Sequence, residues 1–384
     1  MITAPNADRA GTRFAAGEGA SIPTRAQPVP AGWSRVSRRF ALLLLCAVFQ
    51  LVPQFCDAES ARFATPGSSV RLAAVGGTTT EVDVALPRAQ VLRRTLQSDP
   101  QQEYFLYIPK AGGEKAPLFI SVHGISRNAL EHATLFSSFA ESYGVVLMVP
   151  FFTEDHHGDY QRLGRAGRGK RADLALEAIV AEVASLTGAQ SEKIYLCGFS
   201  GGAQFAHRYT MAHPDRVARA VIAAAGWYTF PDVSTPYPYG IGPSPDLPNV
   251  SFEPEKFLRV PMSVFVGEED LTSESLRRSK ELDAQQGTTR IERARNWVAA
   301  MRAAAERHHL EPIVGYQQVR GIQHSFKQFM LEGQLGDRTF RALFGAPEES
   351  DSQEAETRRS EGPPSAEDAL HFVPDYYDLC ASGR

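Results

Sequence analysis

The chain lacks a strong charge of either sign, is poor in cysteine, and has no apolar run long enough to cross a bilayer. A formal net charge of -4 over 384 residues gives no basic surface of the kind that holds nucleic acid, so no nucleic-acid partner is expected. The four cysteines are Cys46, Cys56, Cys197 and Cys380. Their spacing fits neither a zinc site nor a disulfide framework, and Cys197 reads as a small core residue. No two histidines stand in the H-x-x-x-H spacing. Asp155-His156-His157 resembles metal ligands in composition only, so neither a metal nor a cofactor is expected. The most apolar stretch, 40–52, is shorter than the roughly 20 residues of a spanning helix.

What is present divides the chain into three parts. Residues 1–34 are rich in Ala, Gly, Pro and Arg without apolar periodicity, which predicts disorder. Arg35, Arg38 and Arg39 then precede the apolar run, the plan of a secretory signal. Cleavage at Cys56-Asp57-Ala58 would start the mature chain near Glu59; an uncleaved anchor and a true start near Val36 are the alternatives. The expected location is periplasmic or secreted, with membrane contact only through an N-terminal anchor. Residues 59–346 are expected to form one domain, and 347–384 a flexible acidic tail.

The domain alternates strand and helix patterns. Short alternating runs at 70–75 and 81–86 predict antiparallel edge strands, and 103–109 a third. Near-continuous apolar runs at 118–122, 145–149, 194–197, 218–225 and 260–266 predict parallel strands covered on both faces, and 313–319 the last strand. Helix patterns occupy 129–143, 172–187, 290–308 and 326–343. The second places Leu174, Leu176, Ile179, Val180 and Val183 on one face. This order predicts an α/β fold, a mostly parallel central sheet with helices on both faces.

Gly198-Phe199-Ser200-Gly201-Gly202 lies between the strand at 194–197 and an amphipathic helix pattern at Ala203, Phe205, Ala206, Tyr209 and Met211. This is the G-x-S-x-G pattern of a sharp strand-to-helix turn. A serine at its apex is exposed, and the flanking glycines are needed because strand and helix nearly touch. A serine hydroxyl needs a base, and the base an orienting acid. After the strand at 260–266 stands Gly267-Glu268-Glu269-Asp270, and after the strand at 313–319 stands Gly321-Ile322-Gln323-His324. Both follow strand C-termini, where open α/β sheets bind ligands. The candidate catalytic set is Ser200, Asp270 and His324, with Glu268 and Glu269 as alternative acids. The candidate oxyanion-hole donors are the backbone N–H groups of Gly201 and of Ile125, in the His123-Gly124-Ile125 turn.

Taken together, Val122-His-Gly124, Gly198-Phe-Ser-Gly-Gly202, Gly267-Glu-Glu-Asp270 and Gly321-Ile-Gln-His324 resemble the α/β-hydrolase superfamily. Within it the chain is most similar to the polyhydroxybutyrate depolymerase, feruloyl esterase and acetyl esterase group, over roughly residues 100–345. The resemblance implies an α/β-hydrolase fold and a serine hydrolase that cleaves small-molecule or polymeric esters through an acyl-enzyme. A peptidase or amidase of the prolyl-oligopeptidase-like type, and a non-catalytic binding protein on the same scaffold, are the rivals. The Pro-rich, aromatic stretch 227–260 is a candidate lid, with Trp227 and Tyr228 as substrate-binding residues on an aromatic lip. Arg162, Arg165, Arg168, Lys170 and Arg171 read as a solvated basic loop, with attraction of an anionic substrate or lipid headgroups as the alternative.

Overall fold

The structure, a computed structural model, describes residues 86–271 and 276–345. The expected export signal, the strand at 70–75, the strand at 81–86 apart from Leu86, and the acidic tail lie outside these residues. Among the described residues no helix is long and apolar enough to cross a membrane.

Eight strands form one sheet: β1 Val91–Leu96, β2 Asp99–Tyr107, β3 Pro117–Val122, β4 Val146–Phe151, β5 Gln190–Phe199, β6 Val217–Ala223, β7 Met262–Gly267 and β8 Val314–Val319. Their spatial order is β1-β2-β4-β3-β5-β6-β7-β8. β1 pairs antiparallel with β2, and β2 antiparallel with β4. All other pairings are parallel. The helices are α1 Ala129–Tyr143, α2 Glu154–His157, α3 Ala172–Thr187, α4 Gly201–Ala212, α5 Pro254–Phe257, α6 Lys280–Gln286, α7 Arg290–Arg307, α8 Phe326–Leu331 and α9 Leu335–Phe344.

The apolar runs of the central strands serve two cores, because successive side chains leave a strand on opposite faces. Leu118, Ile120 and Val122 of β3, Ile194 and Leu196 of β5, and Ile222 of β6 join one core with residues of α3, α4 and α7. Phe119, Cys197, Phe199 and Val221 alternate into the second core, under α1, α8 and α9. There Phe119 meets Phe136 and Phe340 edge-on at 5.2 and 4.8 Å. Each fully buried side chain of this size stabilises the fold by roughly 1.5–3 kcal/mol. The free thiol of Cys197 is buried among them.

Three local expectations are corrected. α3 buries Leu176, Ile179, Val180 and Val183, but Leu174 is 57% exposed. It sits two residues before Leu176, about 200° around the helix, so it cannot share that face. α4 is not amphipathic in its packing, since every residue from Gly201 to Met211 is buried. The single helix expected at 326–343 is two. Glu332-Gly333-Gln334 breaks it, with Gln334 in the left-handed region at φ 52°.

Candidate active site

β5 ends at Phe199, α4 begins at Gly201, and Ser200 makes the whole turn between them with φ 53° and ψ -112°. A left-handed φ at a non-glycine residue costs of order 1–3 kcal/mol. The surroundings hold it there. The Ser200 N–H donates to the Ala223 carbonyl at the end of β6, 2.8 Å away. The flanking glycines permit the close approach: a Cβ on Gly198 would stand 2.1 Å from the Gly202 carbonyl oxygen, and one on Gly202 would stand 1.9 Å from that of Val122 in β3.

Ser200 Oγ lies 2.9 Å from His324 Nε2, and His324 Nδ1 lies 2.7 Å from Asp270 Oδ2. The carboxylate accepts the Nδ1 proton, which leaves Nε2 as the acceptor that faces the serine. The loops bearing acid and base are brought together by Gly267, where a Cβ would stand 2.1 Å from the Ile322 carbonyl oxygen. Glu269 N–H also donates to that oxygen, at 3.0 Å. Asp270 is wholly buried, whereas Glu268 and Glu269 are exposed. The second Asp270 oxygen, Oδ1, accepts from Arg290 Nη1 at 3.0 Å. Arg290 is 2% exposed and opens α7 behind a capping box in which Thr289 and Glu292 satisfy each other's backbone N–H.

The second strand-end turn is latched by His123. The Phe152 N–H donates to His123 Nε2 at 3.0 Å, so the ring proton is on Nδ1 and donates to the Gly124 carbonyl at 2.8 Å. Burial pushes this imidazole down to about 4, which keeps it neutral and holds this tautomer. A trans peptide places its N–H opposite its C=O. Fixing the Gly124 carbonyl toward His123 therefore turns the Ile125 N–H the other way. The Ile125 nitrogen is 3.2 Å from where a Gly201 Cβ would stand, and the Tyr160 hydroxyl, which donates to the His123 carbonyl at 2.8 Å, walls the same spot. A cavity of about 340 Å³ opens in front of Ser200, lined by Ile125, Asn128, Glu131, His324 and Lys327 among others.

Ser200, His324 and Asp270 are thus in one hydrogen-bonded row, with Gly201 and Ile125 beside the serine. Trp227 and Tyr228 are not an exposed lip. Tyr228 is wholly buried, stacked on Trp297 with ring centroids 4.9 Å apart and tied through its backbone to Gln286. Trp227 is 3% exposed, covered by the Arg208 guanidinium at 4.1 Å and the Tyr239 ring at 5.2 Å. The stretch 227–260 packs Tyr237, Leu247 and Phe257 into the core and contributes no residue to the cavity lining. The basic loop is not simply solvated either. Arg165 pairs with Asp159, Lys170 with Asp99 and Arg171 with Asp173, while Arg162 is buried. Sequence reading missed the side-chain roles of His123, Tyr160 and Arg290. Only Thr289-x-x-Glu292, a cap signal one residue ahead of Arg290, marked that last position.

A mostly parallel sheet with a serine elbow after β5, an acid after β7 and a histidine after β8 is the α/β-hydrolase fold. Residues 102–230 match the family described as Esterase PHB depolymerase. Over 117 residues the chain is 27% identical to feruloyl esterase B of Talaromyces funiculosus. That match takes in 29% of this chain and 33% of the relative, so it spans about a third of that enzyme's length. Among solved structures, poly(aspartic acid) hydrolase-1 from Sphingomonas sp. KT-1 is 25% identical with a TM-score of 0.53, over 61% of this chain and 92% of that one. The poly(3-hydroxybutyrate) depolymerase from Bordetella parapertussis shares the fold at 21% identity and a TM-score of 0.55, over 70% and 92%. The chain therefore has the α/β-hydrolase fold, and its residues 102–230 resemble the depolymerase-like esterases.

Proposed function

We propose that the protein is a serine hydrolase that cleaves carboxylic esters through an acyl-enzyme. The observation that carries this reading is the row of hydrogen bonds from Ser200 through His324 to Asp270. In it His324 takes the serine proton as Oγ attacks the ester carbonyl, and the Asp270 carboxylate stabilises the imidazolium that forms. The carbonyl oxygen becomes an oxyanion received by the N–H groups of Gly201 and Ile125. Among the described residues neither group has a protein acceptor of its own. One such donor is worth about 3–4 kcal/mol in the transition state. His324 then protonates the departing alcohol, and water, deprotonated by the same imidazole, releases the acid. Substrate enters by the cavity before Ser200; export to the periplasm or medium rests on the N-terminal sequence alone.

The test is a fluorophosphonate probe with the labelled residue mapped by mass spectrometry. Label on Ser200, abolished by heat denaturation and by Ser200→Ala, supports the reading; a folded protein that takes no label removes it. Amide cleavage is a second reading, favoured by the similarity to a hydrolase whose named substrate is a poly(amino acid). Ester and anilide substrates with the same acyl group separate the two.

A further inference from the structure

Three arginines from distant parts of the sequence converge on one ring. The guanidinium carbons of Arg208, Arg162 and Arg277 lie 4.1, 5.4 and 5.6 Å from the centre of Trp227. Arg162 follows β4, Arg208 belongs to α4 and Arg277 follows β7. Arg208 is wholly buried and Arg162 is 9% exposed, while Arg277 stands at the surface. Arg208 is braced by Thr229, the Gln161 carbonyl and Gln204, yet its Nη2 has no partner. Nor has the Nε of Arg162. No described carboxylate pairs with any of the three. The one described carboxylate that bears on Arg162 is Asp159, already paired with Arg165 at 2.9 Å. Burial, and then the neighbouring Arg162 and Arg277 charges, push the Arg208 guanidinium down to about 9.

Buried cations without a carboxylate of their own are unfavourable in the free protein, and a bound anion relieves that cost. The cluster also adjoins the serine turn. Trp227 stands four residues beyond Ala223, whose carbonyl holds the Ser200 N–H. Gly226 abuts Gln204, with its Cβ position 3.2 Å from Gln204 Nε2, and Gln204 is one helical turn from the serine. The cluster therefore flanks Ser200 on the β6–β7 side, while the open cavity lies toward α1 and α8.

We propose that Arg162, Arg208 and Arg277, around the Trp227 ring, form a subsite for a free carboxylate on the substrate. The protein would then prefer esters that carry such a group, a preference that rests on Ser200 being the nucleophile. Planar guanidinium forks match a carboxylate's two oxygens, and the indole edge supplies an apolar wall for the chain that bears it. The natural substrate class is a half-ester, or an oligomer with acidic ends or side groups.

The experiment compares kcat/KM for matched pairs of esters. para-Nitrophenyl hemiglutarate against para-nitrophenyl valerate places the carboxylate on the acyl side; acetoxybenzoate against phenyl acetate places it on the alcohol side. At least one pair should favour the anion by about tenfold or more at low salt. Arg277→Gln and Arg162→Gln should each lower that ratio by about tenfold. A wild-type preference for the neutral ester in both pairs, or variants that leave the ratio unchanged, overturns the subsite. If no ester is turned over, the hydrolase reading fails separately, and the subsite is read by titrating the Ser200→Ala protein with glutarate. Saturable quenching of Trp227 fluorescence, absent in Trp227→Phe and weakened in Arg277→Gln, supports it. No quenching, or equal quenching by sulfate, overturns it.

Discussion

At Asp270 and Arg290 a buried cation and a buried anion face each other; around Trp227, buried cations pair with no described carboxylate. Asp270 and Arg290 are both essentially inaccessible, and their 3.0 Å contact cancels most of the field each would exert on its surroundings. Arg162 and Arg208 are also buried, but among the described residues neither is paired with a carboxylate. A paired buried charge orients its neighbours and is explained within the molecule. An unpaired one points to something outside it, so under the proposed reading the two sites divide the work: one would orient the base, and the other would receive a ligand.

The contrast is broken most severely at Asp270. Asp270→Asn keeps the shape but not the charge that orients the imidazole, and kcat should fall about 10³–10⁴-fold, measured as ester hydrolysis at neutral pH. Glu269→Gln, on an exposed side chain of the same loop, should leave kcat within about twofold; a large loss there would move the acid role away from Asp270. The next test exchanges charge for a flexible apolar chain in each site. Arg290→Met leaves the buried Asp270 carboxylate with His324 but without its cation, and should destabilise the protein by about 3–5 kcal/mol in urea unfolding. Arg162→Met removes a cation that has no described carboxylate to strand and should change stability by less than about 1 kcal/mol, in either direction. Equal losses from the two would erase the distinction.

A smaller, graded effect comes from pH. Burial holds His123 and His157 at about 4, and His132 and His207 well below the ordinary 6.5. The unfolded chain binds protons at these residues before the folded chain does. Their contribution to stability is therefore complete above pH 6.5 and is lost as pH falls from 6.5 toward 4. For His123 alone the loss approaches roughly 3 kcal/mol. Thermal melts across that window should show the decline, and it should be shallower in His123→Gln. An unchanged slope would mean that this imidazole is not held neutral by its surroundings.

Much of the parallel sheet was legible because its strands are apolar on both faces, and the elbow because its glycines tolerate no side chain. Edge strand β1 escaped notice. Its Arg93, Arg94 and Thr95 interrupt the apolar pattern, as suits a strand with one side in water, and Arg93 is tied across to Glu103. Ser200, Asp270 and His324 could be placed because each follows a strand terminus. The arginine cluster could not, because 162, 208 and 277 become neighbours only when three strand ends meet. Trp227 and Tyr228 looked like surface aromatics for the opposite reason. Their Pro-rich setting resembles a loop, and nothing local announces that Gln286, Trp297 and Arg208 close over them.

The strained serine turn also bears on how activity is gained during folding. Its geometry depends on β3 through Gly202, on β6 through the Ala223 carbonyl, and on the loop after β8 through His324. Those contacts join segments separated by most of the domain, so local helix formation cannot assemble them. Recovery of catalysis after dilution from denaturant should trail the return of far-ultraviolet circular dichroism. Turnover in this chain would then report completed topology, and a species halted with β8 undocked would be structured but silent.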